Sequence, residues 1–506
     1  MIDIHSLLAS LPARIDSRID SILRTAAART PNAPALVDAG RTLTYRDLAT
    51  LVDRRADQLR ARGVRPGDRV LLASENCADQ IALIFAAAAV GAWIVNVNPR
   101  LTAPELDAIR DHASARLAVY TAAVSPEAEA HAARAAASFD DGLMMGPLND
   151  DCTPEQDADV AALLYTTGTT GAPKGVMLSH RSLLFVAAVS SRLRGLTPAD
   201  RTWGVLPISH VYGLTSVMLG TLSAGACLHL TPRFTPEAML AAIRDDGLSI
   251  VQGVPAMYAR LLEHVGDSGP LATRLRFAYA GGSPLDPALK AAVGRLLGVP
   301  LHNGYGLSEA APTVSQTRLD APRSDTSVGL PIPGVEVRVV DKAGADIVDG
   351  TAGELWVRGP NLMRGYYRNP EATAAALRPG GWLNTGDMAR QDPDGALFIV
   401  GRTKELIIRS GFNVYPLEVE TVLNAHPGVT QSAVVGRPVA DGNEEIVAFV
   451  QPDPRRMPSE AELRAWAAGR LAPYKRPARI VMMEALPAAA NGKVLKHVLK
   501  EQAASL

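Results

Sequence analysis

The stretch YTTGTTGAPKG at residues 165–175 is the part of the sequence from which the fold is inferred. Its glycines let the backbone approach an anion closely, its threonines supply hydroxyl donors from Thr166 onward, and Lys174 adds a compact positive charge. This composition predicts a loop that clamps a polyphosphate. A Walker loop is disfavoured, because that motif needs Gly before its Lys and Ser or Thr after it, whereas Pro173 and Gly175 flank Lys174. An ordinary Gly/Thr surface loop between two strands is the alternative.

Three further segments carry polar side chains that suit the same ligand. PISHVYG contains His210, a residue that in such an apolar setting is more often a packed core side chain than a reactive one. AYAGGSPL at 278–285 and NGYGLSE at 303–309 each run from a strand into a tight glycine turn, as close approach to a flat ring requires. The second segment adds the aromatic face of Tyr305 and the carboxylate of Glu309, a ligand type that Mg²⁺ uses together with substrate phosphates.

These segments resemble the motifs of the adenylate-forming superfamily, which includes acyl-CoA synthetases, non-ribosomal peptide adenylation domains and beetle luciferases. Three more motifs follow in family order: NTGD with Asp387, the run GRTKELIIRSGFNVYPLEVE at 401–420, and LPAAANGKV with Lys493. The family usually has Ser at the position of Thr167 and Thr at that of Ser308, so both departures keep a hydroxyl. Nearly the whole chain is covered by the resemblance.

The resemblance implies a role for residues throughout the chain. Lys493 would stabilise charge during adenylation, His210 would lie beside the acyl pocket and the ATP phosphates, and Glu309 would bind Mg²⁺. The residues that it implies for binding ATP or AMP are Thr166, Thr167, Gly168, Thr169, Thr170, Lys174, Gly281, Gly282, Ser283, Asn303, Gly304, Tyr305, Gly306, Ser308, Asp387, Ile399 and Arg402. Those for the acyl pocket, by similarity to 4-coumarate ligases, are Tyr212, Gly281, Gly306, Pro312 and Thr313. Lys404 would be the hinge, and the residues implied for CoA are Ser410, Gly411 and Lys475.

The activity that the resemblance implies is that of an AMP-forming carboxylate–CoA ligase using ATP, Mg²⁺ and coenzyme A. An aryl or medium-chain acid is favoured, although 4-coumarate ligases usually carry a hydrophobic residue at Thr313 and a lysine at Ile408. Three alternatives stay open: an adenylation enzyme that loads a carrier protein, a luciferase-like oxygenase, and a non-catalytic nucleotide-binding protein. CoA-dependent turnover distinguishes the first of these from a ligase.

The fold expected is α/β, with a large multi-layered N-terminal domain (1–400), a hinge (401–404) and a small mobile α+β lid (405–506). Apolar strands at 69–73, 161–165 and 249–252 alternate with amphipathic helices at 45–62 and 236–245, as in layered α/β proteins. Other expected elements are helices at 122–137 and 460–470, strands at 432–436 and 446–451, a buried helix at 81–95, and a polar connection at 140–159.

Composition agrees with a globular enzyme of several domains. The 506 residues are 47% hydrophobic with a formal net charge of -1, so no electrostatic footprint for nucleic acid is expected. The three cysteines, odd in number and far apart, suit a reducing cytoplasm and no zinc site. Neither a secretory signal nor a membrane span is predicted. The expected partners are a small carboxylic acid and CoA, and a homodimer is one open oligomeric state.

Overall fold

Two large mixed sheets form the body of the protein in a computed structural model that describes residues 18–166, 174–266, 269–409, 412–439, 443–488 and 494–506. Within these ranges the first sheet has nine strands, in the spatial order Leu330–Pro331, Thr313–Gln316, Leu301–Gly306, Phe277–Ala280, Ile250–Gly253, Arg201–Gly204, Cys227–Leu230, Pro34–Asp38 and Arg41–Thr44. The second, counted over the same residues, has eight strands, in the order Gly365–Tyr366, Lys174–Ser179, Val160–Thr166, Trp93–Val97, Arg69–Ala73, Leu117–Tyr120, Leu143–Met145 and Ser138–Asp140.

Smaller sheets follow along the chain. Among the described residues, one consists of Glu336–Val340, Gly353–Arg358, Trp382–Gln391, Leu377–Arg378 and Leu397–Arg402. A hairpin pairs Ile407–Arg409 with Phe412–Val414, and a further sheet is formed by Val429–Pro438, Glu444–Pro452 and Arg479–Met482.

Helices cover the sheets. The α-helices of the described chain are Ser21–Arg29, Tyr45–Ala61, Ala78–Val90, Ala103–Ala113, Pro126–Arg134, His180–Leu193, Gly220–Ser223, Pro236–Arg244, Pro255–Val265, Pro287–Leu297, Pro370–Ala376, Pro416–Asn424, Glu460–Ala468 and Lys496–Ala504. A π-helix spans Tyr212–Leu219, and short 3₁₀ turns span Ser308–Ala310, Pro379–Gly381, Thr403–Glu405 and Pro473–Lys475. None of the described helices is long and apolar enough to cross a bilayer.

One extended hydrophobic core joins the two large sheets and reaches the third, with members such as Ile94, Phe277 and Leu355. Residues from Ile407 onward form two separate clusters, around Val434 and around Phe449. The chain is therefore α/β with a large N-terminal and a small C-terminal part. The exact boundaries 1–400, 401–404 and 405–506 stay predictions.

Parallel pairing positions the candidate site. The strands Ile250–Gly253, Phe277–Ala280 and Leu301–Gly306 run parallel, with Gly253 opposite Ala280 in the register. Their carboxyl ends therefore meet at one edge of the sheet, where ligands of open α/β sheets bind.

Most predicted elements are confirmed within two or three residues of their expected ends. The helix Glu460–Ala468 begins after Ser459, whose side chain forms a capping box with Glu462. The expected buried helix at 81–95 is wrong only over residues 91–95, because Gly91 adopts a left-handed φ of 84° and a strand begins at Trp93. Helix and strand are equally apolar, so periodicity could not separate them.

The segments at 122–137 and 140–159 also differ from expectation. The first is helical only over Pro126–Arg134 and is followed by the edge strand Ser138–Asp140. The second, expected to be a polar connection, contains the strand Leu143–Met145, which pairs with Leu117–Tyr120. This pairing is a long-range contact that a local pattern does not reveal.

Candidate active site

Three predicted nucleotide-binding side chains meet in what we call the Asp387 cluster: Tyr305, Asp387 and Arg402. The Tyr305 hydroxyl donates to Asp387 Oδ2 at 2.5 Å, and Arg402 Nε lies 3.2 Å from Asp387 Oδ1. Asp387 is buried, and its own backbone N–H donates to Thr385 Oγ1. Burial, and then the Asp387 carboxylate, raise the pKa of Tyr305 well above its usual value, so the phenol stays a donor.

A second group, the Glu309 cluster, consists of Glu309, Tyr366 and Lys174. Glu309 Oε1 accepts a hydrogen bond of 2.8 Å from the Tyr366 hydroxyl, and Lys174 Nζ lies 5.0 Å from the centroid of the Tyr366 ring. The strand Gly365–Tyr366 pairs with the strand that begins at Lys174, and the backbone N–H of Met363 donates to the Glu309 carbonyl, so these contacts bring the three residues together. Burial, and then Glu309, raise the pKa of Tyr366, so it too remains a neutral donor.

The Glu309 carboxylate suits a single-carboxylate magnesium site. Its second oxygen, Oε2, has no hydrogen-bond or ion-pair partner among the described residues. No group of three or more His, Cys, Asp or Glu side chains able to hold a metal occurs in the part of the chain that the structure describes. Such a donor set fits Mg²⁺, which takes one or two carboxylates and completes its shell with water and phosphate oxygens.

His210 is exposed at the end of a largely buried loop that two buried asparagines hold in place. Asn76 Nδ2 donates to the carbonyls of Gly204 and Leu206, and Asn76 Oδ1 accepts from the backbone N–H of Ile208. Asn96 Nδ2 donates to the Ile208 carbonyl at 2.8 Å. Asn96 lies in a strand of the second sheet and Asn76 follows another, whereas the loop continues a strand of the first sheet. The two asparagines therefore tie the loop to the second sheet.

The predicted glycine turns lie at the shared edge of the first sheet. A Cβ at Gly281 would stand 3.3 Å from Cε1 of both Tyr212 and Tyr279, and one at Gly306 would collide with the Pro312 carbonyl. Gly282 has a left-handed φ of 84°, which favours glycine. Two neighbouring serines were also predicted to bind the nucleotide. Ser283 is exposed and Ser308 is partly exposed.

The Asn303 side chain bonds to the backbone of the protein and not to an open site. Its Nδ2 donates to the carbonyls of Thr326 and Ser327, and its Oδ1 accepts from the N–H of Gly304. These three hydrogen bonds use the amide group of Asn303 to stabilise the turn. Its nucleotide contact stays a prediction, as does that of Ile399, which packs half-buried against the main core.

The predicted acyl-pocket residues Tyr212 and Thr313 are both buried and lie beside serines that the sequence analysis missed. Thr313 Oγ1 is 3.3 Å from Ser216 Oγ and 3.4 Å from Ser190 Oγ. Tyr212 meets the Tyr279 ring edge to face, with centroids 6.3 Å apart. Ser216 lies one turn after Tyr212 on the same helix. This spacing in the sequence could have identified Ser216 as a neighbour of the predicted pocket.

The predicted hinge and one predicted CoA residue lie in the C-terminal part. Lys404 sits in the 3₁₀ turn Thr403–Glu405, and its carbonyl accepts from Lys500 Nζ at 3.4 Å. Lys475 Nζ is 2.5 Å from Glu418 Oε1, so its charge is partly balanced within the protein.

Several predicted site residues lie outside the described residues. They are Thr167, Gly168, Thr169 and Thr170 of the phosphate loop, Ser410 and Gly411 of the CoA set, and Lys493. The described flanks of the phosphate loop are paired, since Thr166 lies opposite Lys174 in an antiparallel ladder.

Known proteins are similar to this chain over nearly its whole length. The family model "AMP-binding enzyme" matches residues 23–367, and "AMP-binding enzyme C-terminal domain" matches residues 418–493. A feruloyl-CoA synthase from Amycolatopsis sp. is 37% identical over 482 residues, which cover 93% of this chain and 96% of that protein. The 4-coumarate–CoA ligase 2 of Oryza sativa subsp. japonica is 33% identical over 95% of this chain and 91% of its own length.

A solved structure shows the same architecture. The ATP-bound structure of MatB from Rhodopseudomonas palustris matches with a TM-score of 0.86 and 31% identity, covering 96% of this chain and 99% of that one.

Proposed function

The chain belongs to the AMP-binding enzyme family, and from that premise we propose that it is an ATP-dependent carboxylate–CoA ligase. The acid is first converted to an acyl-adenylate with release of pyrophosphate. The sulfur of CoA then attacks the acyl carbon and releases AMP. The observation that carries the proposal is the convergence of Tyr305, Asp387 and Arg402, which come from three different strands and present a carboxylate, an aromatic ring and a cation together.

In the proposed first step, a carboxylate oxygen attacks the α-phosphorus of ATP and the bond to pyrophosphate breaks. Asp387 accepts hydrogen bonds from the ribose hydroxyls, and Tyr305 offers its ring to the adenine. Lys493 stabilises the charge that develops between the carboxylate and the α-phosphate. These roles are positioning and electrostatic, and none requires a covalent enzyme intermediate.

We propose that Glu309 binds magnesium. The hydrogen bond from the Tyr366 hydroxyl holds the Glu309 carboxylate in place. When bound, Mg²⁺ neutralises negative charge on the phosphates. Lys174 and the threonine loop would bind the departing pyrophosphate. The unpaired Oε2 of Glu309 supports this assignment, since the carboxylate has a hard oxygen to offer.

In the proposed second step, the C-terminal part turns about Lys404, which withdraws Lys493 and brings Gly411 to the path of the pantetheine arm. Ser410 and Lys475 are the further contacts proposed for CoA. The pairing of Lys475 with Glu418 means that a CoA phosphate has to compete for this ammonium.

An aryl or medium-chain acid is the substrate that we favour. The glycines at positions 281 and 306 let the proposed pocket wall pack closely, as a Cβ at either position would meet Tyr212 or Pro312. A cytoplasmic location is also proposed, supported by the three free and buried cysteines. A homodimer stays an open prediction.

Pyrophosphate release from Mg-ATP, with and without CoA, tests the proposal across aryl, fatty and dicarboxylic acids. We expect an acyl-CoA product, identified by mass spectrometry, that forms only when CoA is present. An acyl-adenylate that accumulates without any acyl-CoA would instead indicate a carrier protein as the acceptor. Nucleotide binding without turnover of any acid would contradict the ligase function.

A further inference from the structure

A buried arginine without an acidic partner adjoins the proposed acyl pocket. Arg194 follows the helix His180–Leu193 and is 1% exposed. Its Nη1 donates to Gln252 Oε1 at 2.7 Å and to the Ser216 carbonyl at 3.3 Å, and its Cζ lies 4.6 Å from the centroid of the Tyr279 ring. Its Nε has no hydrogen-bond partner, and no ion pair joins it to a carboxylate among the described residues.

Two more buried donors of the same region lack acceptors. Gln252 Nε2 has no partner among the described residues while Gln252 Oε1 accepts from Arg194, so both N–H groups of this amide remain to be donated. The Tyr212 hydroxyl is also unpartnered, and burial raises its pKa well above the usual value, so it remains an O–H donor. We call Arg194, Tyr212 and Gln252 the donor cluster.

Arg194 donates to Gln252 within the donor cluster, but three atoms have no acceptor among the described residues: Arg194 Nε, Gln252 Nε2 and the Tyr212 hydroxyl. A buried guanidinium without a carboxylate is unfavourable, and stacking on Tyr279 offsets only part of that cost. Unpartnered buried donors each lose the hydrogen bonds that they made to water. An anionic acceptor would supply what all three groups lack.

The cluster is next to the pocket rather than elsewhere in the core. Tyr212 is itself a predicted pocket residue, and its ring faces Gly281 and Tyr279. Ser216 connects the two regions, because its carbonyl accepts from Arg194 while its hydroxyl lies 3.3 Å from Thr313 Oγ1. Ser216 therefore joins Arg194 to Thr313, and an acid that bound beside Tyr212 and Thr313 would lie near the donor cluster.

We propose that the acid carries a second carboxylate at the end distant from the reacting one, and that the donor cluster recognises it. The inference rests on the proposed ligase function and names its substrate class as dicarboxylic acids. Arg194 would supply the charge, while Gln252 Nε2 and the Tyr212 hydroxyl would complete the hydrogen bonds of the distal carboxylate. A site built from such donors discriminates strongly against an analogue that lacks the acceptor.

Matched pairs of acids test this selectivity. In each pair a methyl group of the monoacid is replaced by a carboxylate: pentanoate and glutarate, or 4-methylbenzoate and terephthalate. We expect kcat/KM for CoA-dependent AMP release to be at least about 10-fold higher for the dicarboxylate of the better pair. In Arg194→Met this ratio should fall about 100-fold, and Arg194→Lys should restore part of it. The exposed Arg192, changed to Met, is the matched control and should leave the ratio unaltered.

A second variant keeps the test decisive if Arg194→Met does not fold. Gln252→Glu has the same shape and places a carboxylate beside Arg194. We expect its thermal unfolding midpoint to rise and its preference for dicarboxylates to disappear, since the internal carboxylate replaces that of the substrate. A higher midpoint with an unchanged ratio would assign Arg194 a structural role and overturn the inference. Turnover of monoacids alone would overturn it while leaving the ligase function intact, and turnover of no acid at all would overturn both.

Discussion

At the scale of single residues, Tyr366 connects two groups that are far apart in sequence. Its hydroxyl donates to Glu309 and its ring lies beside the Lys174 ammonium. A carboxylate with one fixed oxygen and one open oxygen is oriented for a cation, whereas a free side chain would lose rotamer entropy on binding.

Replacing Tyr366 by Phe should therefore impair the magnesium-dependent step. Loss of a hydrogen bond to a charged group is worth about 1.5 kcal/mol, which corresponds to about 10-fold in kcat/KM for adenylation. The Mg²⁺ concentration for half-maximal rate should rise. Tyr367→Phe is the matched control, because that hydroxyl donates at 2.6 Å to Glu155, outside the Glu309 cluster. An equal effect of the two variants would contradict the assignment.

Lys493 supports a second prediction at this scale. Lys493→Ala should abolish pyrophosphate release, while thiolation of a supplied acyl-adenylate by CoA should persist, because the ammonium is required only where charge develops at phosphorus. Single-turnover assays of the two half-reactions measure this separately. If both half-reactions fall equally, the proposed rotation about Lys404 is wrong.

At the scale of elements, the π-helix Tyr212–Leu219 carries residues of the proposed acyl pocket. π-helical turns are rare in proteins, and those that occur are often found at functional sites. The element packs against the helix His180–Leu193, so Ser190 and Ser216 both reach Thr313. Gly213 allows the close approach of this helix to the His210 loop, since a Cβ there would collide with the Pro207 carbonyl.

Gly213→Ala should thus displace either the loop or the helix. We expect a loss of about 2 kcal/mol in the free energy of unfolding, the range of overpacking in a well-packed core, together with a higher KM for the acid. Urea unfolding and steady-state kinetics measure the two effects. Gly220→Ala is the control, because its nearest atom, the Thr215 carbonyl oxygen, would be 3.5 Å from the new Cβ. Similar losses in both variants would indicate a general helix effect.

At the scale of the whole molecule, His180 connects the beginning of the described chain to the core. Its Nδ1 accepts from the backbone N–H of Ile19 at 3.2 Å, across 161 residues of sequence. Burial, and then the charge of Arg18, lower the pKa of His180 from 6.5 to about 3. The ring is therefore neutral in the folded protein over the whole neutral and mildly acidic range.

This shift predicts that the protein loses stability in acid. Between pH 6.5 and about 3 the unfolded chain binds a proton that the folded chain does not, so the free energy of unfolding decreases as the pH falls. The loss from His180 should reach about 2 kcal/mol at pH 5. His180→Asn, which keeps an acceptor near Ile19, should lose correspondingly less between pH 7.5 and 5 in urea unfolding. The exposed His497, changed to Asn, is the control. Parallel pH profiles of wild type and His180→Asn would refute the prediction.

Local sequence was sufficient wherever the physical cause is itself local. The strand Arg69–Ala73 and the cap at Ser459 follow from apolar runs and from a hydroxyl before a helix. The motif residues Tyr305, Asp387 and Arg402 were predicted from short patterns that resemble a family, and the structure brings these three together.

What only the tertiary structure decided are the contacts between segments that no local pattern joins. Tyr366 lies 57 residues from Glu309, and Arg194 lies 58 residues from Gln252. Hydrogen bonds of this kind depend on which strands pair and which helix covers them, so their chemistry becomes visible only after the chain has folded. The sequence by itself determined the family, the α/β layers and the motif residues. Only the folded structure shows that Arg194, beside the proposed acyl pocket, has no ion-pair partner among the described residues, because the lack of a partner is a property of the packed neighbourhood and not of any stretch of chain.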